Sequence, residues 1–165
     1  MDAKRYFLPL KKWLFVLTLM LLFWQLGTVA APLLKNSRSS LGFQIHSLYQ
    51  PACHQLAERS FTLNGIPLSI CARCSGIYLA GFLICLYCLF PAGLKMYPLH
   101  TYILLILPAA FEFLLEKTGF YPGQIWVRFV SGLLFGSALF HLLVLSFSRR
   151  LDEIGLKKTK TLFNQ

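Results

Sequence analysis

The stretch Trp13–Leu34, WLFVLTLMLLFWQLGTVAAPLL, decides the fold. It carries no charged residue and is long enough to cross ~30 Å of hydrocarbon as a helix, which takes about 20 residues. A segment of this kind is either a membrane anchor or a secretory leader. Val29-Ala30-Ala31 resembles a small-residue cleavage site. The apolar run, however, exceeds the ~7–15 residues of a leader's core, and Pro32 would directly follow the cut. An uncleaved anchor is the expectation.

Three further apolar stretches follow: 70–94, 99–115 and 125–147. The expected fold is therefore all-α, an integral membrane bundle of four transmembrane helices joined by one long outer loop, 35–69, that has structure of its own. Composition agrees. Of 165 residues, 56% are hydrophobic and 13% charged, with a mean hydropathy of +0.61. Soluble domains carry about 25% charged residues. A short basic head, 1–12, and a basic tail, 148–165, flank the spans, and the tail is expected to be partly disordered. In the loop, Asn64-Gly65 signals a turn, and Phe43–Tyr49 suits a short interfacial helix.

The net charge of +10 lies at the ends of the apolar runs, where the positive-inside rule and anionic headgroups account for it. No basic stripe with interleaved aromatics marks a nucleic-acid surface. Lys4, Arg5, Lys11, Lys12 and Lys95 fall on one side with the tail residues Arg149, Arg150, Lys157, Lys158 and Lys160. Lys35, Arg38, Arg59, Arg73, Lys117 and Arg128 are spread over the other. Both termini are thus expected in the cytoplasm. The long loop, the start of span two, the end of span three and the start of span four then meet at the outer face.

That face holds the chemistry. Cys53-His54 lies in the loop and Cys71-x-x-Cys74 opens span two. Cys71 and Cys74 share one helix face. With Cys53 and His54 they form a Cys₃His set, which suits tetrahedral zinc or a similar soft metal. Neighbouring side chains converge poorly on one ion, so Cys₃ with water, or with His46 as fourth ligand, is the variant. A second reading is redox. Cys-x-x-Cys at a helix amino terminus beside Arg73 favours thiolate, and Cys53 would attack or resolve a Cys71–Cys74 disulfide. An inert disulfide is the third. Nearby, Glu112 and Arg128 sit in apolar surroundings, where charges pair or line a polar cavity.

Other features are weaker. Cys85 and Cys88 lie deeper in span two and read as packing cysteines. His100 and His141 lie toward the inner ends of spans three and four and read as hydrogen-bonding residues rather than haem ligands. Gly132-x-x-x-Gly136 and Gly76-x-x-x-Ala80 allow close helix approach. They would pack spans two and four together, or serve another copy or another membrane protein. No Gly-rich phosphate loop, nucleophile elbow or internal repeat is evident.

The pattern Cys53-His54-Gln55-x-x-x-Arg59-Ser60-Phe61, then Gly65, then Cys71-x-Arg73-Cys74-x-Gly76-Ile77-Tyr78 resembles the family of predicted bacterial membrane proteins termed domain of unknown function 2085. The likeness covers about residues 45–140. The Arg128…Gly132 segment also looks similar, whereas the third span keeps only Glu112 of the family's acidic-Gly-Gln pattern. The resemblance implies a multi-span protein of the bacterial cytoplasmic membrane with a thiol-rich motif, and it supplies no activity. It also draws attention to Gln55, Arg59, Arg73 and Tyr78. Gln55, Arg59 and Tyr78 are expected to orient the thiolate site through hydrogen bonds. The functional expectation is a structural metal centre bracing an accessory or partner-binding membrane module. The rival is a membrane thiol–disulfide oxidoreductase, with a quinone as candidate electron acceptor, and a transporter ranks last.

Overall fold

A computed structural model describes residues 4–36 and 40–163. Residues 1–3 of the basic head, Ser37–Ser39 of the loop (Arg38 among them) and 164–165 of the tail lie outside the described residues. The protein is mostly helical. Helix α1 is Lys4–Asn36, α2 Ser40–Leu48, α3 Ala72–Cys88, α4 Leu99–Lys117 and α5 Ile125–Phe163. Between α2 and α3, strands β1 (Thr62–Leu63) and β2 (Ile66–Pro67) pair antiparallel, Thr62 with Pro67 and Leu63 with Ile66. Asn64 and Gly65 both take positive φ, 52° and 77°, as a tight two-residue hairpin turn requires. The expected turn and the short loop helix are both present.

Among the described residues, three helices are long and apolar enough to cross a membrane: Leu10–Lys35, Leu99–Lys117 and Ile125–Leu151. Ala72–Cys88 is a shorter apolar helix. Its 17 residues rise about 26 Å at ~1.5 Å each, somewhat less than the ~30 Å hydrocarbon thickness. The expected stretch 70–94 is thus only partly helical. Cys71, in an extended conformation (φ −68°, ψ 159°), stands before α3, and a 3₁₀ turn over Pro91–Leu94 follows it. Pro91 cannot continue the hydrogen-bond ladder. At the other extreme, α5 runs through the basic tail to Phe163, where a partly disordered segment was expected.

Helix α3 lies against α5 and α1, α4 lies against α5, and α2 lies against α1. The α3–α5 contact is backbone to backbone. A Cβ on Gly76 would strike the Phe129 carbonyl oxygen, and one on Gly132 would strike that of Arg73. The small-residue faces expected to join spans two and four therefore do so within one chain. A core of Leu10, Leu14, Leu21, Cys85, Cys88 and Val144 fills the space between α1, α3 and α5.

Helix α4 is peripheral: only Tyr102 and Glu112 along it are buried. Both are polar, and both are held. The Tyr102 hydroxyl lies 2.9 Å from His141 Nδ1, while His141 Nε2 lies 2.9 Å from the Gly93 carbonyl oxygen. A carbonyl can only accept, so Nε2 carries a proton. His141 has both ring nitrogens engaged and His100 is exposed.

Candidate metal centre

The loop is folded inward by its own backbone. Beyond α2, the Ala52 and Cys53 amides donate to the Tyr49 carbonyl at 3.1 and 3.0 Å. Tyr49 is itself moored to α1: its hydroxyl donates to the Trp24 carbonyl at 2.8 Å, and its ring lies 4.5 Å from the Trp24 ring. This turn buries Cys53.

Gln55 then takes a left-handed φ of 53°, uncommon for a residue with a side chain. Its amide group donates to the carbonyls of His46 (2.7 Å) and Ser69 (2.8 Å). One side chain thus ties α2 to the strand that leads into Cys71. The hairpin is anchored on α5, where the Phe61 ring lies 5.0 Å from Trp126 and 5.5 Å from Phe129.

These restraints bring three sulfurs together. The Sγ atoms of Cys53, Cys71 and Cys74 all lie within 4.8 Å of one another, and all three thiols are free. Tetrahedral zinc with Zn–S of about 2.3 Å implies sulfurs ~3.8 Å apart, so a small contraction would close the set on one ion. Backbone amides face the sulfurs. The Cys71 N–H donates to Cys53 Sγ at 3.2 Å, the Gln55 N–H reaches the same sulfur, and the Cys74 N–H reaches Cys71. Thiol hydrogen bonds from Cys71 and then Cys74, with the Cys71 and Gln55 amides adding to them, lower the Cys53 pKa to about 2 against the opposing effect of burial. Thiolate is the form that binds metal.

The histidines stand apart. His54 is exposed and does not join the three sulfurs. His46 Nδ1 lies 3.1 Å from Ser69 Oγ and is likewise outside the group. The structure assembles Cys53, Cys71 and Cys74 and leaves His54 exposed outside the group.

Arg73, between the two cysteines of α3, points elsewhere. Its guanidinium lies 2.5 Å from Glu112 and 3.1 Å from Glu116. Arg59 reaches Glu116 at 2.7 Å, and Arg128 reaches Glu116 at 3.2 Å. The expected Glu112–Arg128 pair is the longest contact of the set, at 3.8 Å. Ser131 donates to Glu112 at 3.1 Å, and Arg128 also donates to the Pro122 carbonyl at 3.2 Å. Glu112 and Arg128 are both 4% exposed. Three guanidiniums and two carboxylates thus lock the loop, α3, α4 and α5 together beside the sulfurs.

Of the three residues expected to orient the thiols, Gln55 ties α2 to the segment before Cys71, the Tyr78 ring lies 5.4 Å from Trp24, and Arg59 pairs with Glu116, as Arg73 pairs with Glu112 and Glu116. Glu116, Ser131, Trp24 and Tyr49 were missed. Glu112 and Glu116 are spaced i, i+4 and share a helix face, a signal that was present. Nothing local marks Trp24 or Tyr49, whose roles arise from contact between distant segments.

A family profile described as "Predicted membrane protein (DUF2085)" matches residues 53–142. An uncharacterized protein of Methanothermobacter thermautotrophicus is 32% identical over 88 residues, 53% of this chain and 79% of the relative. Another, from Methanocaldococcus jannaschii, is 25% identical over 148 residues, 84% of this chain and 95% of the relative. Both relatives are archaeal, so sequences of this kind are not confined to bacteria. No solved structure matches.

Proposed function

Because this chain belongs to the DUF2085 family of predicted membrane proteins, we propose that it is a four-span membrane protein holding a zinc-like soft metal on Cys53, Cys71 and Cys74. One observation carries the reading: three free thiols within 4.8 Å of one another, with backbone amides directed at two of them. The short helix α3 is the second span, a length that local bilayer thinning accommodates. With both termini cytoplasmic, the cluster lies at the outer face. There the ion cross-links the folded loop to the amino terminus of α3 and braces a surface for a membrane partner.

Elemental analysis of detergent-purified full-length protein tests this. One metal per chain, lost in Cys71→Ser, is the expected result. Absence of metal under reducing, metal-replete conditions would sink it.

The redox reading draws on the same proximity, since three reduced thiols within reach of each other can exchange disulfides. Cys71 and Cys74 would form an S–S bond and release two electrons and two protons to a membrane quinone, reducing it to quinol. A metal-free protein with a Cys71–Cys74 disulfide that turns over quinone would replace the metal reading with this one.

A further inference from the structure

What surrounds the sulfurs bears on which ion belongs there. Among the described residues, the groups placed to ligate a metal at this point are the sulfurs of Cys53, Cys71 and Cys74, with no fourth donor in the group. His54 is exposed, and His46 is engaged with Ser69. Packed around Cys53 are Tyr49, Ile70, Trp24, Ile45 and Tyr78, an apolar and aromatic wall.

Zinc in a three-cysteine site completes its tetrahedron with a fourth ligand. A water in that position needs two to four polar partners of its own, and the wall supplies two hydroxyls, of which that of Tyr49 already donates to the Trp24 carbonyl. Trp24 Nε1 is buried without a hydrogen-bond acceptor. It is a donor only, unable to bind a metal. Soft thiolates select copper(I), among other ions, and the d¹⁰ monovalent ion is satisfied by three sulfurs in a plane.

We propose that the site is three-coordinate and selects copper(I), or an ion of the same soft, monovalent class, over zinc. The inference rests on the metal-binding reading above and specifies its ion. Cys53 is the buried sulfur of the three, while Cys71 and Cys74 are half-buried, so the ion enters and leaves past Cys71 and Cys74.

The test uses full-length protein in detergent, reduced and handled without oxygen. It is offered equimolar copper(I), held in a chelator buffer, and zinc. The expected result is one copper per chain, at least a tenfold excess over bound zinc, and an X-ray absorption spectrum showing three sulfur neighbours and no nitrogen or oxygen. His54→Ala and His46→Ala retain copper within twofold, and Cys53→Ser loses it at least tenfold. If Cys53→Ser fails to fold, the wild-type coordination number decides alone. One zinc per chain with a nitrogen or oxygen neighbour overturns the three-coordinate copper site and leaves the metal reading standing. No bound metal of either kind overturns both.

Discussion

Helix α3 carries the same spacing twice. Cys71 and Cys74 stand three apart at its start, and Cys85 and Cys88 stand three apart at its end. Each pair shares a helix face, yet the two ends differ in every other respect. The first pair meets a third sulfur from a loop and backbone amides aimed at sulfur. The second is sealed, 0% exposed, among Leu10, Leu14, Leu21 and Val144, with Cys88 donating to the Gly93 carbonyl at 3.2 Å. Two thiols on one face are therefore not a site. What sets the first pair apart is the third sulfur that a distant segment brings and the amides directed at it.

The largest expected effect breaks the comparison outright. Cys71→Ser or Cys74→Ser should lower bound metal at least tenfold, while Cys85→Ser and Cys88→Ser should leave it within twofold, as measured by metal per chain. If the deep pair proves equally necessary, the distinction between the two ends fails.

Next comes the charge lock beside the first pair. Glu112→Gln removes the main partner of Arg73 and leaves Glu116 facing Arg59, Arg73 and Arg128 by itself. Loss of one member of a buried pair costs about 3 kcal/mol, which thermal unfolding in detergent should register. Tyr102→Phe, at the far end of α4, removes one neutral hydrogen bond worth about 1 kcal/mol. Equal losses at the two ends would argue against a lock concentrated beside the thiols.

A third contrast concerns backbone approach. A methyl group at Gly132 meets the Arg73 main chain, whereas one at Gly81 meets the Phe140 ring, which can turn aside. Gly132→Ala should cost about 2 kcal/mol as overpacking against a rigid neighbour, with Gly81→Ala below it. The smallest effect is expected at the loop clamp. Gln55→Ala loses two hydrogen bonds to carbonyls while keeping the left-handed backbone, at a cost of about 1 kcal/mol. It should raise amide hydrogen exchange in the loop and leave α3 unchanged toward Cys88.

Much of this architecture was legible in the chain. The charge-free run at 13–34 and the glycine spacings at 76 and 132 report burial and close approach directly, because a bilayer or a helix neighbour constrains each residue locally. The Asn64-Gly65 turn is local in the same sense, since only certain residues tolerate positive φ. Helix ends were less visible. Hydrophobicity continues past Cys88 to Leu94, but Pro91 ends the helix, so apolar length overstated helical length. In the tail, charge suggested disorder where the backbone continues as α5.

The site was legible as an inventory rather than as a geometry. Sequence alone placed three cysteines and several charges near the ends of the apolar stretches, since residue type and the order of the stretches follow from the chain. Only the tertiary structure decided that Cys53 joins Cys71 and Cys74 while His54 stays outside the group, and that Arg59 and Arg73 neutralise Glu112 and Glu116 rather than support the thiols. The physical reason is range. Helix and turn preferences act over a few residues, whereas the direction of a loop side chain depends on distant moorings, here Tyr49 on Trp24 and Gln55 on His46 and Ser69.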